Sequence, residues 1–302
     1  MSESLHRAGF VSLLGRPNAG KSTLLNAMLG EKLAIVTAKP QTTRTIIQGA
    51  LTLPDAQIVF LDTPGIHKSE SLLDKHMIRA VREAVAGRDL LLFLADATQL
   101  VTAEDSKALD MVKKSATPVL LVLTKIDRVR DKPLLLRLIE EYKALHAFAA
   151  YVPVSAVTGD GVPVLRREIV ARLPEGPPRF PSDYLTDQPA RFLAAEIVRE
   201  KILLETRQEV PHSVAVMVDR WEESGKLLKI AATIYVERPG QKGIVIGSGG
   251  AMLKKIGTAA RRDIEALVAQ KIFLELVVKE RPGWREDPAF LNELDWHSVA
   301  GT

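Results

Sequence analysis

The stretch GFVSLLGRPNAGKST (Gly9–Thr23) decides the fold of the first half of this 302-residue chain. An apolar run of strand length leads into a loop bounded by Gly15 and Gly20, and Lys21 and Ser22 follow at once. Glycines let backbone N–H groups come close to a phosphate, the lysine adds positive charge, and a helix N-terminus adds its dipole. The pattern therefore predicts a phosphate-binding loop between a strand and a helix that starts at Lys21. The alternative, a glycine turn followed by Lys and Ser by chance, is disfavoured by this context.

Downstream of this loop, apolar runs of strand length alternate with helix-like runs. The strand-like runs are GFVSLLG, AQIVFLD, DLLLFLAD, PVLLVLTK and AYVPVSA. The helix-like runs are residues 21–29, 103–114, 134–146 and 162–173. Continuously apolar strands that alternate with helices are typical of a parallel sheet with helices on both faces. The sequence therefore predicts an α/β phosphate-loop domain with a mostly parallel sheet.

The chain changes character after the proline-rich segment PEGPPRFPSDYLTDQP. Its prolines exclude a helix and predict a semi-rigid linker. Beyond it, the predicted elements are helix, strand, strand, helix and strand, at residues 189–205, 213–221, 227–236, 251–269 and 271–280. This order indicates a smaller α+β domain. The predicted division is a first domain over residues 1–176, a linker over 177–188 and a second domain over 189–302.

Composition and charge narrow the class of protein. The chain has no cysteine, so disulfides and thiolate metal sites are impossible. Its N-terminus lacks the apolar core of a signal peptide, and no apolar run reaches the ~18 residues of a membrane-spanning helix. These features favour a cytoplasmic protein. The net charge of +4 is mildly basic, which is weak evidence for a polyanionic partner.

Three further motifs follow predicted strands: DTPG (Asp62–Gly65), TKID (Thr124–Asp127) and Ser155-Ala156. Ligands bind at the carboxyl ends of strands in open α/β sheets, so we expect these motifs to form one site with the phosphate loop. The aspartate of DTPG is expected to hold Mg²⁺, directly or through water, and its glycine N–H to sense a γ-phosphate. A fourth motif, QTTR (residues 41–44), offers threonine hydroxyls for Mg²⁺ in a loop that a triphosphate could order.

Together these motifs resemble the GTPases of the translation-factor class. The resemblance implies that Asp127 accepts hydrogen bonds from guanine, that Lys125 packs over the base, and that the N–H of Ala156 meets the guanine O6. Thr124 stands where asparagine is commonest in that class. The implied GTP site consists of Asn18, Ala19, Gly20, Lys21, Ser22, Thr23, Asp62, Gly65, Thr124, Lys125, Asp127, Ser155 and Ala156.

Mg²⁺ is the predicted cofactor, with Ser22, Thr43 and Asp62 as its protein ligands. Thr42 is the alternative ligand, but we favour Thr43. Asn18 resembles the asparagine of related GTPases that bind K⁺ beside the phosphates, where the ion supplies positive charge. Its other interpretation is an ordinary turn residue, and both interpretations stay open.

The residue that positions the attacking water is not identified by the sequence. Ile66 follows DTPG, where many GTPases place a glutamine that orients this water. Isoleucine can neither donate nor accept a hydrogen bond, so either another group orients the water or hydrolysis is slow without a partner. Lys21, Thr43 and Gly65 are expected to support the transition state.

A second glycine-rich stretch, GIVIGSGGAMLKKIG (Gly243–Gly257), lies in the second domain. Its centre, Gly247–Gly250, resembles the GxxG loop of KH domains, which clamps a nucleic-acid backbone. The flanking element order matches a type II KH domain, and residues 241–262 carry lysines and arginines but no acidic residue. A tight turn that caps a helix is the alternative. The predicted RNA-binding residues are Lys242, Ile244, Ile246, Gly247, Ser248, Gly249, Gly250, Lys254, Lys255 and Arg261, with Val245 and Ile256 as further groove-wall candidates.

The ordered combination of GRPNAGKST, QTTR, DTPGIH, TKID and the later GxxG loop resembles the Era family of bacterial GTPases over residues 9–296. The resemblance implies a GTP switch that binds 16S rRNA near its 3′ end and acts in assembly of the small ribosomal subunit. GTP and Mg²⁺ are expected to order residues 41–44 and 62–66 and so to expose or hide the RNA groove. The resemblance also implies peripheral association at the inner face of the cell membrane. We expect the protein to be a monomer.

Two other functions compete with this one. A metabolic GTPase whose second domain binds a protein or a membrane is disfavoured by the glycine loop and its acid-free flank. An ATP-driven RNA remodeller is disfavoured by the guanine-type motif TKID. RNA-binding assays on variants of Gly247 and Gly250 address the first alternative, and base preference in an Asp127→Asn variant addresses the second.

Overall fold

The computed structural model describes residues 6–39, 41–66, 71–206 and 210–295 of the chain. The described residues divide into two compact units. The first unit comprises residues 6–36, 43–66 and 74–187, and the second comprises the described residues of 37–42, 71–73 and 188–295. His67 and Trp296, which close two stretches of the family resemblance, lie outside the described residues.

The first unit is built on a six-stranded sheet in the order β2-β3-β1-β4-β5-β6. Its strands are β1 (Arg7–Leu14), β2 (Ile47–Thr52), β3 (Ala56–Asp62), β4 (Leu90–Asp96), β5 (Val119–Thr124) and β6 (Ala150–Pro153). Neighbouring strands are parallel, except that β2 and β3 are antiparallel. Strands β3 and β4 are buried along their whole length, as expected for strands covered on both faces. The predicted α/β class is confirmed.

The helices of the first part of the chain are α1 (Lys21–Leu29), α2 (Leu72–Val85), α3 (Ala103–Val112), α4 (Pro133–Leu145) and α5 (Val162–Val170). Helix α3 starts where the sequence predicted, because Thr102 and Asp105 form a capping box. The Thr102 side chain accepts from the Asp105 N–H, and the Asp105 carboxylate accepts from the Thr102 N–H. This reciprocal pair satisfies two backbone donors that a helix start leaves open.

Strand β2 was not predicted from the sequence. The segment IQGALT has six residues and includes Gly49. Because glycine weakens a strand interior, this composition does not indicate a strand. Only antiparallel pairing with β3, from Ile47 opposite Asp62 to Thr52 opposite Gln57, makes it a strand. Local composition could not reveal a strand that its neighbour creates.

The proline-rich segment follows the edge of this sheet. The Ala50 N–H donates to the carbonyl oxygen of Leu185 at 2.8 Å. The side-chain amide of Gln57 donates to the carbonyl of Phe180 and accepts from the Phe180 N–H, both at 2.9 Å. An edge strand carries unpaired backbone groups, so the segment covers groups that would otherwise be open to another chain. Residues up to 187 accordingly belong to the first unit.

The second unit contains a three-stranded sheet in the order β7-β8-β9, with β7–β8 antiparallel and β8–β9 parallel. Its strands are β7 (Ala215–Ser224), β8 (Leu227–Val236) and β9 (Lys271–Glu280). The helices are α6 (Ala190–Glu205), α7 (Val210–Ser213), α8 (Pro239–Ile246), α9 (Ala251–Val268) and α10 (Pro288–Leu294). The predicted α+β class is confirmed. Helix α8 was not predicted; it lies directly before the glycine loop, where the sequence shows only a short apolar run. In the described ranges, no helix is both long and apolar enough to cross a bilayer.

A buried arginine anchors a loop within the second unit. Arg199, on α6, is 2% exposed and forms an ion pair with Glu196. Its guanidinium also donates to the backbone carbonyls of Thr42 and Gln41. A planar guanidinium can hold several oxygen acceptors at once, and burial makes those bonds costly to lose. The QTTR loop is thus held by its backbone at the residues that precede Thr43.

Candidate nucleotide-binding site and nucleic-acid cleft

The phosphate loop connects β1 to α1 and uses glycine where the backbone requires it. At Gly15, φ is 148° and an added Cβ would lie 2.5 Å from the carbonyl oxygen of Leu94. At Gly20, φ is 93°, and this residue directly precedes the first turn of α1. Side chains at these positions would be strained or would clash. The loop therefore leads directly into the N–H groups at the start of α1, which favour an anion.

Lys21 lies inside this loop. It is 6% exposed, and its ammonium donates to the carbonyl oxygens of Gly15 at 3.2 Å and Arg16 at 3.0 Å. Burial lowers the pKa of Lys21 to about 8; the Asp62 carboxylate opposes this shift and Arg16 adds to it. Because these hydrogen bonds go to neutral carbonyls, the buried ammonium gains further from an anionic partner. The loop therefore suits a phosphate group beside Lys21.

Three oxygen-bearing side chains converge beside Lys21. The Ser22 hydroxyl donates to Oδ2 of Asp62 at 2.5 Å and lies 2.8 Å from the Thr43 hydroxyl. The Thr43 hydroxyl lies 3.4 Å from the same carboxylate oxygen. The other oxygen, Oδ1 of Asp62, is buried and has no hydrogen-bond partner among the described residues. Hard oxygen ligands of this kind suit Mg²⁺, so the residues present fit the metal.

The electrostatic environment of Asp62 also favours a bound cation. Burial raises its pKa to about 6, although the charge of Lys21 and the hydrogen bonds from Ser22 and Thr43 act in the opposite direction. A carboxylate that is costly to ionise in the free protein is stabilised in its ionised form by a bound cation. Asp62 is therefore placed to gain from a divalent ion.

The structure separates the two threonines of QTTR. The Thr42 hydroxyl donates to the carbonyl oxygen of Lys39 at 2.7 Å and lies 2.7 Å from the Thr37 hydroxyl, so it is used within its own loop. The Thr43 hydroxyl is the one that joins Ser22 and Asp62.

The residues expected to read the base are tied to the phosphate loop. Ser155 Oγ donates to Oδ1 of Asp127 at 2.7 Å and so fixes that carboxylate. The Thr124 hydroxyl lies 2.7 Å from the carbonyl oxygen of Ala19, which shows how threonine can anchor the loop where asparagine is commoner. The Lys125 ammonium donates to the carbonyl oxygen of Asn18 at 2.7 Å. One connected set of hydrogen bonds thus joins β5 to the loop before α1.

The two residues at the end of DTPGI have different environments. An added Cβ at Gly65 would lie 2.7 Å from Cα of Pro17, so only glycine allows its backbone to approach the phosphate loop so closely. Ile66 is 7% exposed and belongs to a hydrophobic core cluster that includes Leu14, Val81 and Phe93. Its side chain packs in the interior, where it cannot orient water.

The glycine loop of the second unit joins two helices. Gly247, Gly249 and Gly250 have φ angles of 72°, 55° and 81°, all in the left-handed region. An added Cβ at Gly247 would lie 2.7 Å from Cβ of Met252. A cleft of about 450 Å³ opens beside this loop and is lined by Gly250, Leu253, Lys254, Gly257, Thr258, Arg261, Leu274 and Leu276. It combines a glycine backbone, two cations and an apolar floor.

The structure brings only part of the predicted RNA-binding set to this cleft. Gly250, Lys254 and Arg261 line it, whereas Val245 and Ile256 are fully buried in the core. Lys242 lies 3.7 Å from Glu280, and Lys255 forms an ion pair with Glu205.

Sequence reasoning missed residues at both sites. The lining residues Leu274 and Leu276 come from β9, far along the chain from the glycine loop, and no local signal connects them. Asp96, at the end of β4, accepts a hydrogen bond from Lys125 at 2.6 Å. Its position at a strand C-terminus is the signal that could have found it.

Comparison with known protein families defines the class. A family model described as 50S ribosome-binding GTPase matches residues 10–125, and a KH domain model matches residues 209–285. With the phosphate-loop fold and the glycine-loop cleft, these matches make the chain a GTPase joined to a KH domain.

Individual relatives define the family. The chain is 50% identical to GTPase Era of Syntrophus aciditrophicus (97% of this chain, 96% of the relative) and 51% identical to GTPase Era of Geobacter metallireducens (98% and 100%). A solved structure of an Aquifex aeolicus Era variant bound to GDP and AlF4− matches with a TM-score of 0.93 and 38% identity, covering 96% of this chain and 99% of that chain. A structure of Era with MgGDPNP and nucleotides 1506–1542 of 16S ribosomal RNA matches with the same values. The chain therefore belongs to the Era family of GTPases and hydrolyses GTP.

Proposed function

We propose that this chain is a GTP-controlled RNA-binding protein that binds the 3′ region of 16S rRNA and acts in assembly of the small ribosomal subunit. The observation that carries the proposal is the cleft beside the glycine loop, whose lining joins Lys254 and Arg261 to an apolar floor. A relative of the same architecture over 96% of this chain was solved with nucleotides 1506–1542 of that RNA.

The chemistry of the cleft suits single-stranded RNA. Bases present apolar faces, and the side chains of Leu253, Leu274 and Leu276 offer a matching surface. Lys254 and Arg261 are seven positions apart on α9, which places them on one side of that helix. Two cations beside a glycine backbone can follow a phosphate chain, while the apolar floor favours unpaired bases over a duplex.

The nucleotide site supports GTP and Mg²⁺ as the controlling ligands. Ser22, Thr43 and Asp62 are the proposed protein ligands of Mg²⁺, since their oxygens cluster in the free protein. Bound Mg²⁺ would supply positive charge to the phosphates. Asp127, fixed by Ser155, is the proposed guanine-reading carboxylate.

Arg199 offers a physical connection through which GTP binding could change RNA binding. Thr43 belongs to the proposed Mg²⁺ site, and its chain neighbours Gln41 and Thr42 have their carbonyls held by Arg199. Because peptide bonds are stiff, a shift of Thr43 on GTP binding changes the carbonyl positions that this guanidinium must satisfy. Helix α6, which carries Arg199, packs against α9 of the RNA cleft within the second unit.

Arg261→Ala tests the RNA cleft directly, with Arg262→Ala as a matched control. Both variants remove one exposed positive charge from adjacent positions on α9, but only Arg261 lines the cleft. We expect Arg261→Ala to weaken binding of a 16S rRNA 3′-end oligonucleotide by about tenfold and to reduce the salt slope by about one. Equal loss in both variants would mean diffuse electrostatic attraction and would refute the cleft. Gly247→Asp is less informative, because its side chain would collide with Met252.

Arg199→Lys tests the coupling, with Arg191→Lys on the exposed side of the same helix as control. RNA affinity would be measured with GDP and with a non-hydrolysable GTP analogue. We expect tighter RNA binding with the analogue in the native protein, and by linkage RNA must raise analogue affinity by the same factor. Arg199→Lys should shrink that factor toward one while each ligand still binds. An unchanged factor would exclude this route, and equal RNA affinity with both nucleotides in the native protein would refute GTP control.

The remaining parts of the proposal follow the family resemblance. The proposed division is a GTPase domain over residues 1–176, a linker over 177–188 and an RNA-binding domain over 189–302. A role for K⁺ beside Asn18 predicts faster GTP hydrolysis in KCl than in NaCl at equal ionic strength. Monomeric mass in light scattering and salt-sensitive binding to anionic vesicles test the monomer and the peripheral membrane association.

A further inference from the structure

Asp96 lies between two cations that belong to the nucleotide site. Its side chain is 5% exposed, and Oδ2 lies 2.6 Å from the Lys125 ammonium and 3.7 Å from a guanidinium nitrogen of Arg16. The other oxygen, Oδ1, accepts from the N–H of Thr98 at 3.0 Å and from its hydroxyl at 2.6 Å. Both carboxylate oxygens are therefore engaged: Oδ2 faces the two cations and Oδ1 faces the turn at Thr98.

The Lys125 ammonium also donates to the carbonyl oxygen of Asn18 in the phosphate loop. The side chain of Lys125 is 26% exposed, so the ammonium is partly withdrawn from water and gains from an anionic partner. A neutral carbonyl alone holds a partly buried cation weakly, whereas a carboxylate at hydrogen-bond distance holds it more strongly. Asp96 thus keeps the ammonium on Asn18.

Arg16, the second residue of the same loop, is held in a similar way. Its guanidinium lies near Asp96, 3.3 Å from an Asp105 oxygen, and donates to the Gln99 side chain at 2.9 Å. The side chains of Arg16 and Asp105 are 11% and 3% exposed. Asp96 therefore touches a cation at one end of the phosphate loop and, through Lys125, reaches the carbonyl of Asn18.

We propose that Asp96 is a positioning residue for guanine nucleotide binding, which holds Lys125 against the phosphate loop and so slows nucleotide release. The proposal rests on the proposed nucleotide site, in which Lys125 covers the base. Asp96 does not itself touch the base, so base choice stays with Asp127. The expected effect of losing Asp96 is faster release of GDP and GTP with an unchanged preference for guanine.

The test is the dissociation rate of ribose-labelled fluorescent GDP from the full-length protein, measured by displacement with unlabelled GDP. Asp96→Asn should speed release by about tenfold. This factor is at the lower end of the range expected for a hydrogen bond between charged groups, because Lys125 is partly exposed. Thr98→Val removes the hydroxyl bond to the opposite oxygen of the same carboxylate and should leave the rate unchanged. Equal acceleration by both variants would mean a general loosening of this turn and would overturn the proposal.

A double-variant cycle separates positioning from general destabilisation. If Asp96 acts through Lys125, adding Asp96→Asn to Lys125→Met should change the release rate little beyond Lys125→Met alone. Multiplication of the two single effects would overturn the proposal. If Lys125→Met itself leaves release unchanged, the proposed nucleotide site has failed. If Lys125→Met speeds release and Asp96→Asn does not, only the role of Asp96 has failed.

Two further readouts keep the result interpretable. The preference for GDP over ADP should persist in Asp96→Asn, and its loss would assign Asp96 to base reading instead. Thermal unfolding without nucleotide identifies a variant that does not fold. If Asp96→Asn does not fold, the release rate of Asp96→Ala is compared with that of the native protein, since alanine places no amide N–H against the ammonium. A native release rate in Asp96→Ala would overturn the proposal.

Discussion

Raising the pH should weaken GTP binding through Lys21 in a range where most lysines stay charged. The free protein holds Lys21 at 6% exposure, and burial lowers its pKa to about 8. A phosphate group favours the charged form, so the bound complex keeps the proton to higher pH than the free protein. Affinity should therefore be full below the pKa of the free protein and should fall as the pH rises through about 8.

The size of the effect follows from that pKa. With a value of about 8, about nine-tenths of Lys21 is charged at pH 7 and about one-tenth at pH 9. If only the charged form binds well, the dissociation constant rises by about tenfold over this interval, which is about 1.3 kcal/mol. A surface lysine with an ordinary pKa would give almost no change over the same range.

Equilibrium titration of a fluorescent GTP analogue at constant ionic strength between pH 7 and 9 measures this dependence. Lys21→Met carries no titrating ammonium, so it should bind more weakly at pH 7 and show a flat profile. An affinity that stays constant across the range in the native protein would refute the reasoning. The same slope in Lys21→Met would assign the titration to another group.

Three other predictions address the metal, the base-reading strand and the proline-rich segment. Because the pKa of Asp62 is raised to about 6 and Mg²⁺ favours its ionised form, Mg²⁺ affinity should rise with pH through about 6; a flat Mg²⁺ titration would count against Asp62 as a ligand. Thr124→Val removes the hydroxyl beside the Ala19 carbonyl and should lower the unfolding free energy by about 1–3 kcal/mol and speed GDP release, and unchanged release would contradict this. Gln57→Ala removes the amide that holds Phe180, and we expect a loss of about 2 kcal/mol in urea unfolding and faster trypsin cleavage after Arg179; an unchanged digestion pattern would contradict this.

The sequence by itself determined the phosphate loop, the buried parallel strands and the start of α1 and α3. These features depend on local chemistry. Gly15 and Gly20 permit backbone angles that other residues resist, and Thr102 caps the start of α3 together with Asp105, three residues further along the chain. A strand that is apolar throughout also predicts burial on both faces, and this prediction needs no knowledge of the strands beside it. The order of GRPNAGKST, QTTR, DTPGIH, TKID and the later glycine loop along the chain was likewise sufficient for the family resemblance.

Only the tertiary structure decided what depends on contacts between distant residues. Strand β2 exists because β3 pairs with it, and Leu276 of β9 reaches the cleft beside Gly250 because the chain folds back. The same is true of Asp96, which meets Lys125 because adjacent parallel strands end at one edge of the sheet. Thr42 and Thr43 are adjacent and chemically identical, and their different hydrogen bonds separate their roles. Local propensity contains no term for a partner that lies tens of residues away, so such features emerge only when the chain is folded.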